Sequence, residues 1–344
     1  MGSGKSFSAM PWVGAIFLAS CMGAQAQDCG LKMAASIQMK PIHDGRAMLI
    51  PIKIEGTERN LLFDTGGYMS QITAAVAEEL KMEYRKSMLE LYDVSGNKSD
   101  RYVIAKQIEI GGMRASNLPF MVINPDSGFG RGDEPIDGIL SSDFLFKYDV
   151  EVDYGANKLN YFLPDHCEGK VIYWPHDAVG VVPVTIFNNQ IKVTVEMDGK
   201  KIDAIIDTGA THTTISAATA KYRFGLTPES PGMKPGGIVN GDENLRVYDY
   251  RFSKLSFGDV AVANLTVGIM PDRVNSKNTP EYQTEWRARR VDEDLKLTPM
   301  LIGMDVLRHM HIYMAFKERR FYVTARSAPA KPAPATPAAA ETRP

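Results

Sequence analysis

The 344-residue sequence contains one short motif twice, in which two apolar residues lead into an Asp-Thr-Gly turn. The copies occupy residues 62–67 and 205–210, so the two turns lie 143 positions apart. The residues that follow also match without a gap, 63–77 against 206–220. A repeat of this length predicts two similar halves whose turns meet in one site.

The repeat continues well beyond the turns. Residues 108–111 match 255–258, and residues 139–145 match 301–307, after which each half predicts a strand, a turn and a strand. Each copy consists mostly of short alternating apolar runs separated by Gly, Asn and Asp, which is typical of antiparallel strands and hairpins. We therefore expect an all-β, two-lobed fold with a pseudo-twofold internal repeat and a few short helices. Helices are predicted over 73–81, 142–148, 217–222 and 304–310.

Asp64 and Asp207 are the candidate catalytic residues. When two carboxylates face one another, they share a proton, so that one acts as a general base on water while the other acts as an acid. A single Asp-Thr-Gly sequence also suits a plain β-turn. Two copies with matching downstream segments favour a paired site over two unrelated turns.

An Asp-Thr-Gly turn, followed later by two apolar residues, a glycine and a short helix, resembles the pepsin and retropepsin superfamily of aspartic proteases. The second half, with 207–210 and 301–303, is similar to the retropepsin form. The resemblance covers nearly all of residues 40–325, once per half. It implies an aspartic endopeptidase that cleaves protein or peptide substrates without a cofactor or a metal. Because both halves lie in one chain, it implies a monomeric pseudo-dimer.

The resemblance also assigns roles to the other turn residues. The hydroxyls of Thr65 and Thr208 each hold the opposite turn by hydrogen bonds. Gly66 and Gly209 let backbone N–H groups approach the carboxylates. The pair then titrates as a unit, a behaviour for which aspartic proteases are the known example.

The first half departs from the pattern at two positions. Gly67 stands where the second half has Ala210, and Ser141 stands where it has Gly303. Ser141 adds an oxygen behind the Asp64 turn, where the family keeps a glycine. Neither Gly67 nor Ala210 carries the hydroxyl that pepsins usually place there, so we expect a higher pKa for the pair. The expected pH optimum is mildly acidic to near-neutral.

A flap over the substrate is expected in the interval after each turn. Residues 92–97 and 236–241 are both predicted to be glycine-containing hairpin tips. Which of the two covers the substrate is left open, and plain surface hairpins are the alternative. The candidate flap residues are Val94, Ser95, Gly96, Ile238, Val239 and Asn240.

The N-terminal residues predict a secretory signal peptide over 1–26. Lys5 precedes an apolar stretch over 12–19, and the Ala-Gln-Ala sequence at 24–26 fits a small-residue cleavage site. The sequence Leu-Ala-Ser-Cys, which ends at Cys21, resembles a bacterial lipobox, and its lipidation would anchor the protein to a membrane. We expect an exported protein, periplasmic or secreted, with the soluble and lipidated forms as alternatives.

The rest of the chain is predicted to contain two lobes and a tail. Lobe 1 covers 27–168 and lobe 2 covers 169–326, with a connecting segment at 165–177. The segment 272–296 exists only in the second copy and is a candidate specificity or partner loop, with a solvated helix as the alternative. Residues 327–344 are rich in Pro and Ala and are predicted to be disordered or extended.

Cys29 and Cys167 flank the first lobe. After export the cysteine count is even, which favours a disulfide between them over two free thiols. The formal net charge is −2 and 44% of the residues are apolar. This balance shows no basic excess for nucleic-acid binding, and no later apolar run is long enough to span a membrane.

Three functional hypotheses follow. The first is an exported aspartic endopeptidase with Asp64 and Asp207 in one site. The second is an inactive peptide-binding or scaffold protein on the same fold, which Gly67 and Ser141 favour. The third is a protease in which only one half is competent and sites form between chains. A peptide-cleavage assay and a solution mass distinguish them.

Overall fold

The computed structural model describes residues 29–92, 98–125, 129, 135–239, 242–271 and 299–326. The protein is mostly β, with 55% of it in strands. The described residues form two sheets and three short α-helices. The predicted signal peptide (1–26, with Cys21), the insert 272–296 and the tail 327–344 lie outside these residues. No helix among the described residues is long and apolar enough to cross a membrane.

The strands of the first half are β1 (Met33–Gln38), β2 (Lys40–Ile42), β3 (Ala47–Ile54), β4 (Thr57–Asp64), β5 (Gln71–Thr73), β6 (Arg85–Tyr92), β7 (Lys98–Ala105), β8 (Ile108–Ile110), β9 (Met113–Ala115), β10 (Leu118–Ile123), β11 (Gly138–Ser141), β12 (Asp149–Asp153) and β13 (Lys158–Phe162). Those of the second half are β14 (Gly180–Phe187), β15 (Gln190–Met197), β16 (Lys200–Ile206), β17 (Thr214–Ser216), β18 (Lys234–Val239), β19 (Asp242–Phe257), β20 (Val260–Met270), β21 (Met300–Ile302), β22 (Met310–Ala315) and β23 (Arg320–Ala325). The α-helices are α1 (Ala74–Glu79), α2 (Ala217–Phe224) and α3 (Met304–Leu307). Single 3-10 turns span His43–Gly45 and Ser142–Phe144.

The first half has one sheet of its own. All strands of the second half lie in a larger sheet, the shared sheet, which also contains β1, β12 and β13 of the first half. The first half forms a sheet in the order β6-β7-β10-β5-β11-β4-β3-β8-β9, with β2 paired to β3. The other sheet runs β1-β13-β12-β22-β23-β14-β15-β16-β21-β17-β20-β19-β18. In it β12 pairs antiparallel with β22, so the closing hairpins of both halves lie side by side. The predicted all-β, two-lobed fold is confirmed.

The hairpins that precede the two Asp-Thr-Gly turns have the same geometry. Gly56 has φ +79° and Gly199 has φ +76°, and the residues before them, Glu55 and Asp198, have φ 50° and 46°. Two consecutive positive φ values define a tight hairpin whose twist matches the strands. The repeat in the sequence is therefore a repeat in the backbone.

Two of the predicted helices are shorter than expected, α1 and α3, while α2 extends two residues beyond the predicted end at 222. Thr73 and Ser216 cap α1 and α2, each accepting a hydrogen bond from the amide three residues on. The segment 142–148 was expected to be helical, but it forms consecutive tight turns in which Leu145 N donates to Ser142 O and Tyr148 N donates to Leu145 O. Its counterpart, α3, ends at Leu307, and strand β22 begins at Met310. In both segments the helical conformation ends within a few residues, and the next strand, β12 or β22, then joins the shared sheet.

The connecting segment 165–177 packs tightly against that shared sheet. Val171 and Trp174 are buried, and Trp174 Nε1 donates to Thr324 Oγ1 at 2.9 Å. His166 Nε2 lies 2.5 Å from Oδ2 of the fully buried Asp149. The neighbouring Cys167 forms the predicted disulfide with Cys29, with a Cα–Cα distance of 4.8 Å. The segment therefore fixes the junction of the two halves.

Candidate active site

The two Asp-Thr-Gly turns hold their carboxylates in the same way. The amides of Gly66 and Gly67 both donate to Asp64 Oδ1 at 3.0 Å. In the second half the amides two and three residues after Asp207 donate to its Oδ1, also at 3.0 Å. Each carboxylate is therefore fixed through one oxygen, and its other oxygen, Oδ2, receives no amide bond from its own turn.

Four reciprocal hydrogen bonds join the two turns. Thr65 N donates to Thr208 Oγ1 at 3.0 Å, and Thr208 N donates to Thr65 Oγ1 at 3.1 Å. The two hydroxyls donate in turn to backbone carbonyls of the opposite half, Thr65 to Ile206 O at 2.6 Å and Thr208 to Phe63 O at 2.8 Å. Both threonines are buried. The predicted support role of these threonines matches this geometry.

Gly66 and Gly209 let each turn approach the opposite carboxylate. A Cβ on Gly66 would lie 2.4 Å from Asp207 Cγ, and one on Gly209 would lie 2.5 Å from Asp64 Cγ. No side chain fits at such distances, so glycine is required at both positions. The two carboxyl groups are close enough that each shifts the pKa of the other. The structure thus brings the two predicted residues face to face.

The electrostatics of the pair favour one retained proton. Burial, and then the charge of Asp64, raises the pKa of Asp207 to about 8. Burial also raises the pKa of Asp64, although the amides of Gly66 and Gly67 and the hydrogen bond from Asp207 oppose this rise. The pair therefore titrates as a unit in which Asp64 loses its proton before Asp207. One general base and one general acid are available at the same place.

A second pair of acidic residues holds the turns from behind. In the first half Ser70 Oγ donates to Asp143 Oδ1 at 2.6 Å, and in the second half Thr213 Oγ1 donates to Asp305 Oδ1 at 2.6 Å. These residues were not predicted as site residues. The sequence repeat could have identified them, because Asp143 aligns with Asp305 and Ser70 aligns with Thr213.

The same hydroxyls also anchor the strands that run beside the catalytic turns. Ser141 N donates to Ser70 Oγ at 2.9 Å, and Gly303 N donates to Thr213 Oγ1 at 3.1 Å. Strand β11 lies parallel to β4 with Ser141 opposite Asp64, and β21 lies parallel to β16 in the second half. The first turn therefore keeps the geometry of the second, although Ser141 replaces a glycine.

One support of the first turn is not repeated at the aligned positions of the other half, as far as the described residues show. The loop between β14 and β15 reaches across to the first half, where Gln190 Nε2 donates to Gly66 O at 2.8 Å. Asn189 Nδ2 donates to Tyr68 O at 2.9 Å. The aligned positions of the first half are Arg46 and Ala47. The repeat therefore gave no indication of this contact.

The two flap candidates are both found in hairpins, but their tips are not described. The hairpin of β6 and β7 frames residues 93–97, so Val94, Ser95 and Gly96 lie outside the described residues, as does Asn240. Ile238 and Val239 are the last residues of β18, immediately before the turn. Gly236 and Gly237 were expected at the tip but lie within β18, where irregular pairing on either side of Ile238 accommodates them. Which hairpin covers substrate stays a prediction.

Two neighbours hold the buried His311 in place. His311 Nε2 lies 2.6 Å from Glu151 Oε1, and its ring stacks on Trp174 with 3.7 Å between centroids. Within the described part of the chain, no three His, Cys, Asp or Glu side chains are grouped so that they could hold a metal ion. His311 is therefore part of the packing of the shared sheet.

Two β lobes joined at a pair of facing Asp-Thr-Gly turns define the retropepsin-like class of acid proteases. A family model described as aspartyl protease matches residues 50–144 and 193–306. The two segments together cover more than half of the chain, and each contains one turn. The protein belongs to the aspartyl protease family. A search of curated proteins returned no match.

Proposed function

We propose that the protein is an aspartic endopeptidase whose complete site is built within one chain. The observation that carries this proposal is that each of the carboxylates of Asp64 and Asp207 lies against the opposite turn, while four hydrogen bonds made by Thr65 and Thr208 join the two turns. Asp64 and Asp207 are half-buried acids whose pKa values are both raised, an arrangement that costs folding free energy. Such groups cluster at active sites, which favours a protease over a scaffold that only binds peptides.

The reaction needs one ionised and one protonated carboxyl. Asp64 accepts a proton from the attacking water, while Asp207 donates its proton to the carbonyl oxygen of the scissile peptide bond. The product is a neutral tetrahedral diol, and its collapse with proton transfer to the leaving nitrogen breaks the C–N bond. The turn amides keep both carboxylates in position throughout, because they bind Oδ1 and leave Oδ2 for the chemistry.

The proposal is tested by digesting a peptide library over a series of pH values and identifying the products by mass spectrometry. Cleavage that pepstatin inhibits is the expected result. A folded protein that binds peptides but cleaves none at any pH would contradict the proposal and support the inactive scaffold.

Ala210→Ser is expected to move the alkaline limb of the pH–rate profile towards acid pH. A Cβ at the equivalent position 67 would lie 3.1 Å from Asp64 Oδ2, so a side chain at 210 is placed beside the outer oxygen of Asp207. A hydroxyl there donates to the ionised form and lowers the pKa of Asp207 from about 8. The profile of kcat/KM measures the shift. Ala210→Gly, which has no donor, is the control, and an unmoved profile in active Ala210→Ser would refute this assignment.

We also propose that the protein is exported. The disulfide between Cys29 and Cys167 supports an oxidising compartment. The mature chain isolated from its native host is expected to begin at Gln27 or at a lipidated Cys21, with both remaining cysteines bonded. Intact-mass analysis decides this. A retained Met1, or two thiols that alkylate without reduction, is the contrary result.

A further inference from the structure

Ser141 is a buried serine that lies directly beside Asp64. It is the last residue of β11 and pairs with Asp64 across the parallel strands β11 and β4. Its side chain has no exposed surface. Its hydroxyl donates to Met69 O at 3.1 Å, and its amide is bound by Ser70. The side chain therefore lies inside the Asp64 turn.

Ser141 occupies the space that a side chain at position 67 would need. A Cβ on Gly67 would lie 2.4 Å from Ser141 Oγ and 3.3 Å from Ser141 Cβ. The same point is 3.1 Å from Asp64 Oδ2. The serine hydroxyl and the outer oxygen of Asp64 are therefore neighbours around one small volume. A side chain at position 67 would therefore displace the Ser141 hydroxyl.

In the second half the positions of the glycine and of the residue with a side chain are exchanged between the turn and the neighbouring strand. Ala210 carries a side chain on the turn, and Gly303 on the neighbouring strand has none. A Cβ on Gly303 would lie 2.8 Å from Ala210 O and 2.7 Å from the carbonyl oxygen of His212. In the first half the side chain beside the carboxylate comes from the strand, and the alignment of the repeat assigns that place in the second half to Ala210 on the turn. Only the first of these side chains ends in a hydroxyl.

We propose that Ser141 is a positioning residue for Asp64, which replaces from the neighbouring strand the side chain that Gly67 lacks and makes the two carboxylates chemically unequal. The inference deepens the proposed proteolytic function and rests on it. In this proposal, rotation about the Cβ–Oγ bond turns the hydroxyl proton from Met69 O towards Asp64 Oδ2 when that carboxylate is ionised. The aligned position in the second turn, Ala210, offers no hydroxyl to Asp207.

The surrounding titratable groups agree with this division of roles. Asp207 faces Asp64 from the opposite turn, and its pKa is raised to about 8 by burial and by the charge of Asp64. Asp143 lies on the other side of Ser141, where burial raises its pKa and Ser70 binds both of its oxygens. A donor beside Asp64 alone favours the state in which Asp64 is the base and Asp207 holds the proton.

The packing half of the proposal is tested by a double-mutant cycle in thermal unfolding. Gly67→Ala alone forces a Cβ against Ser141 Oγ and is expected to lower Tm by roughly 3–8 °C. In the background of Ser141→Gly, which empties the space, the same change is expected to cost nothing or to stabilise. If the Tm changes of the two single variants simply add in the double variant, the proposed exchange of side chains is wrong. This arm does not depend on catalysis.

The chemical half is tested by following the pKa values of Asp64 and Asp207 by carbon NMR of the labelled carboxyl groups. Ser141→Ala removes the donor and is expected to raise the lower apparent pKa of the pair by about one unit. Gly67→Ser with Ser141→Gly moves the hydroxyl to the turn and is expected to restore it. Gly67→Ala with Ser141→Gly restores the packing without a hydroxyl and is the matched control. Equal pKa values in the two double variants would overturn the proposed role.

Kinetics then separate this inference from the proposed function. In an active enzyme, Ser141→Ala is expected to lower kcat by about tenfold with little change in KM, and to move the acid limb of the pH profile upwards. The hydroxyl-transfer variant regains the wild-type profile. If wild type cleaves no peptide, the proposed function fails, while the unfolding and NMR measurements still decide the role of Ser141.

Discussion

Asp64→Asn and Asp207→Asn are each expected to lower turnover by about 10³-fold or more while the fold survives. Asparagine keeps the shape of the side chain and accepts the turn amides through its carbonyl oxygen, but it neither accepts nor donates the transferred proton. The two carboxyls act as one unit, so the double variant is expected to be no worse than either single variant. Peptide-cleavage rates measured with excess enzyme check this.

Asp259→Asn is the matched control for these substitutions. Asp259 is exposed in the turn between β19 and β20, remote in the sequence from both catalytic turns. It is expected to leave the rate unchanged. Substantial turnover in Asp64→Asn, with Asp207→Asn inactive, would contradict the intramolecular pair and favour a site formed by two second halves.

Removing the disulfide is expected to have the second large effect, on stability rather than on chemistry. The bond between Cys29 and Cys167 closes a separation of 138 residues. The chain-entropy model assigns about 5 kcal/mol to a loop of that size, which is a large share of the free energy of unfolding of most domains. The double substitution Cys29→Ser with Cys167→Ser is therefore expected to lower Tm by roughly 10 °C or more.

Wild type unfolded in the presence of a reductant is the control for that measurement. Reduction is expected to reproduce the loss without changing any side chain beyond the two sulfurs. Cleavage at low temperature is expected to persist in both samples, because the bond lies at the end of the shared sheet and not in the Asp-Thr-Gly turns. An unfolding curve that neither treatment moves would show that the bond does not constrain the unfolded chain.

The fold and the paired turns could be predicted because the motifs that define them occur twice in the sequence. A tight hairpin, an Asp-Thr-Gly turn and an apolar strand recur in the same order, and a local pattern that recurs is strong evidence for a local structure. The same comparison would have revealed Asp143 and Asp305, which align and bind equivalent hydroxyls. Their spacing was visible, but their role depends on how β11 and β21 lie beside the turns.

Other features depend on contacts between distant parts of the chain. Gln190 and Asn189 bind carbonyls of the first turn from a loop of the second half, and no local pattern indicates which distant backbone a side chain reaches. The segment 142–148 was expected to be helical, but it forms a single 3-10 turn followed by a further tight turn before β12 begins at Asp149. In this segment tertiary packing overrode the local preference.

The interpretation of Ser141, a departure from the repeat, differs between the sequence and the structure. In the sequence it stands in place of a glycine and favoured an inactive protein. In the structure its side chain fills the space that Gly67 leaves beside Asp64. The compensation that we propose joins two departures from the repeat that lie in contact, Gly67 in the turn after β4 and Ser141 at the end of β11.

The central claim, that one chain builds one complete site, is tested most directly by mixing the two inactive variants. Asp64→Asn and Asp207→Asn are unfolded together, refolded in equal amounts, and compared with wild type and with each variant alone in the same peptide-cleavage assay. The account predicts cleavage by wild type and none by the mixture, since every chain keeps one defective half of its own site. Recovery of about a quarter or more of the wild-type rate in the mixture would contradict it, because the intact halves would then be meeting between chains.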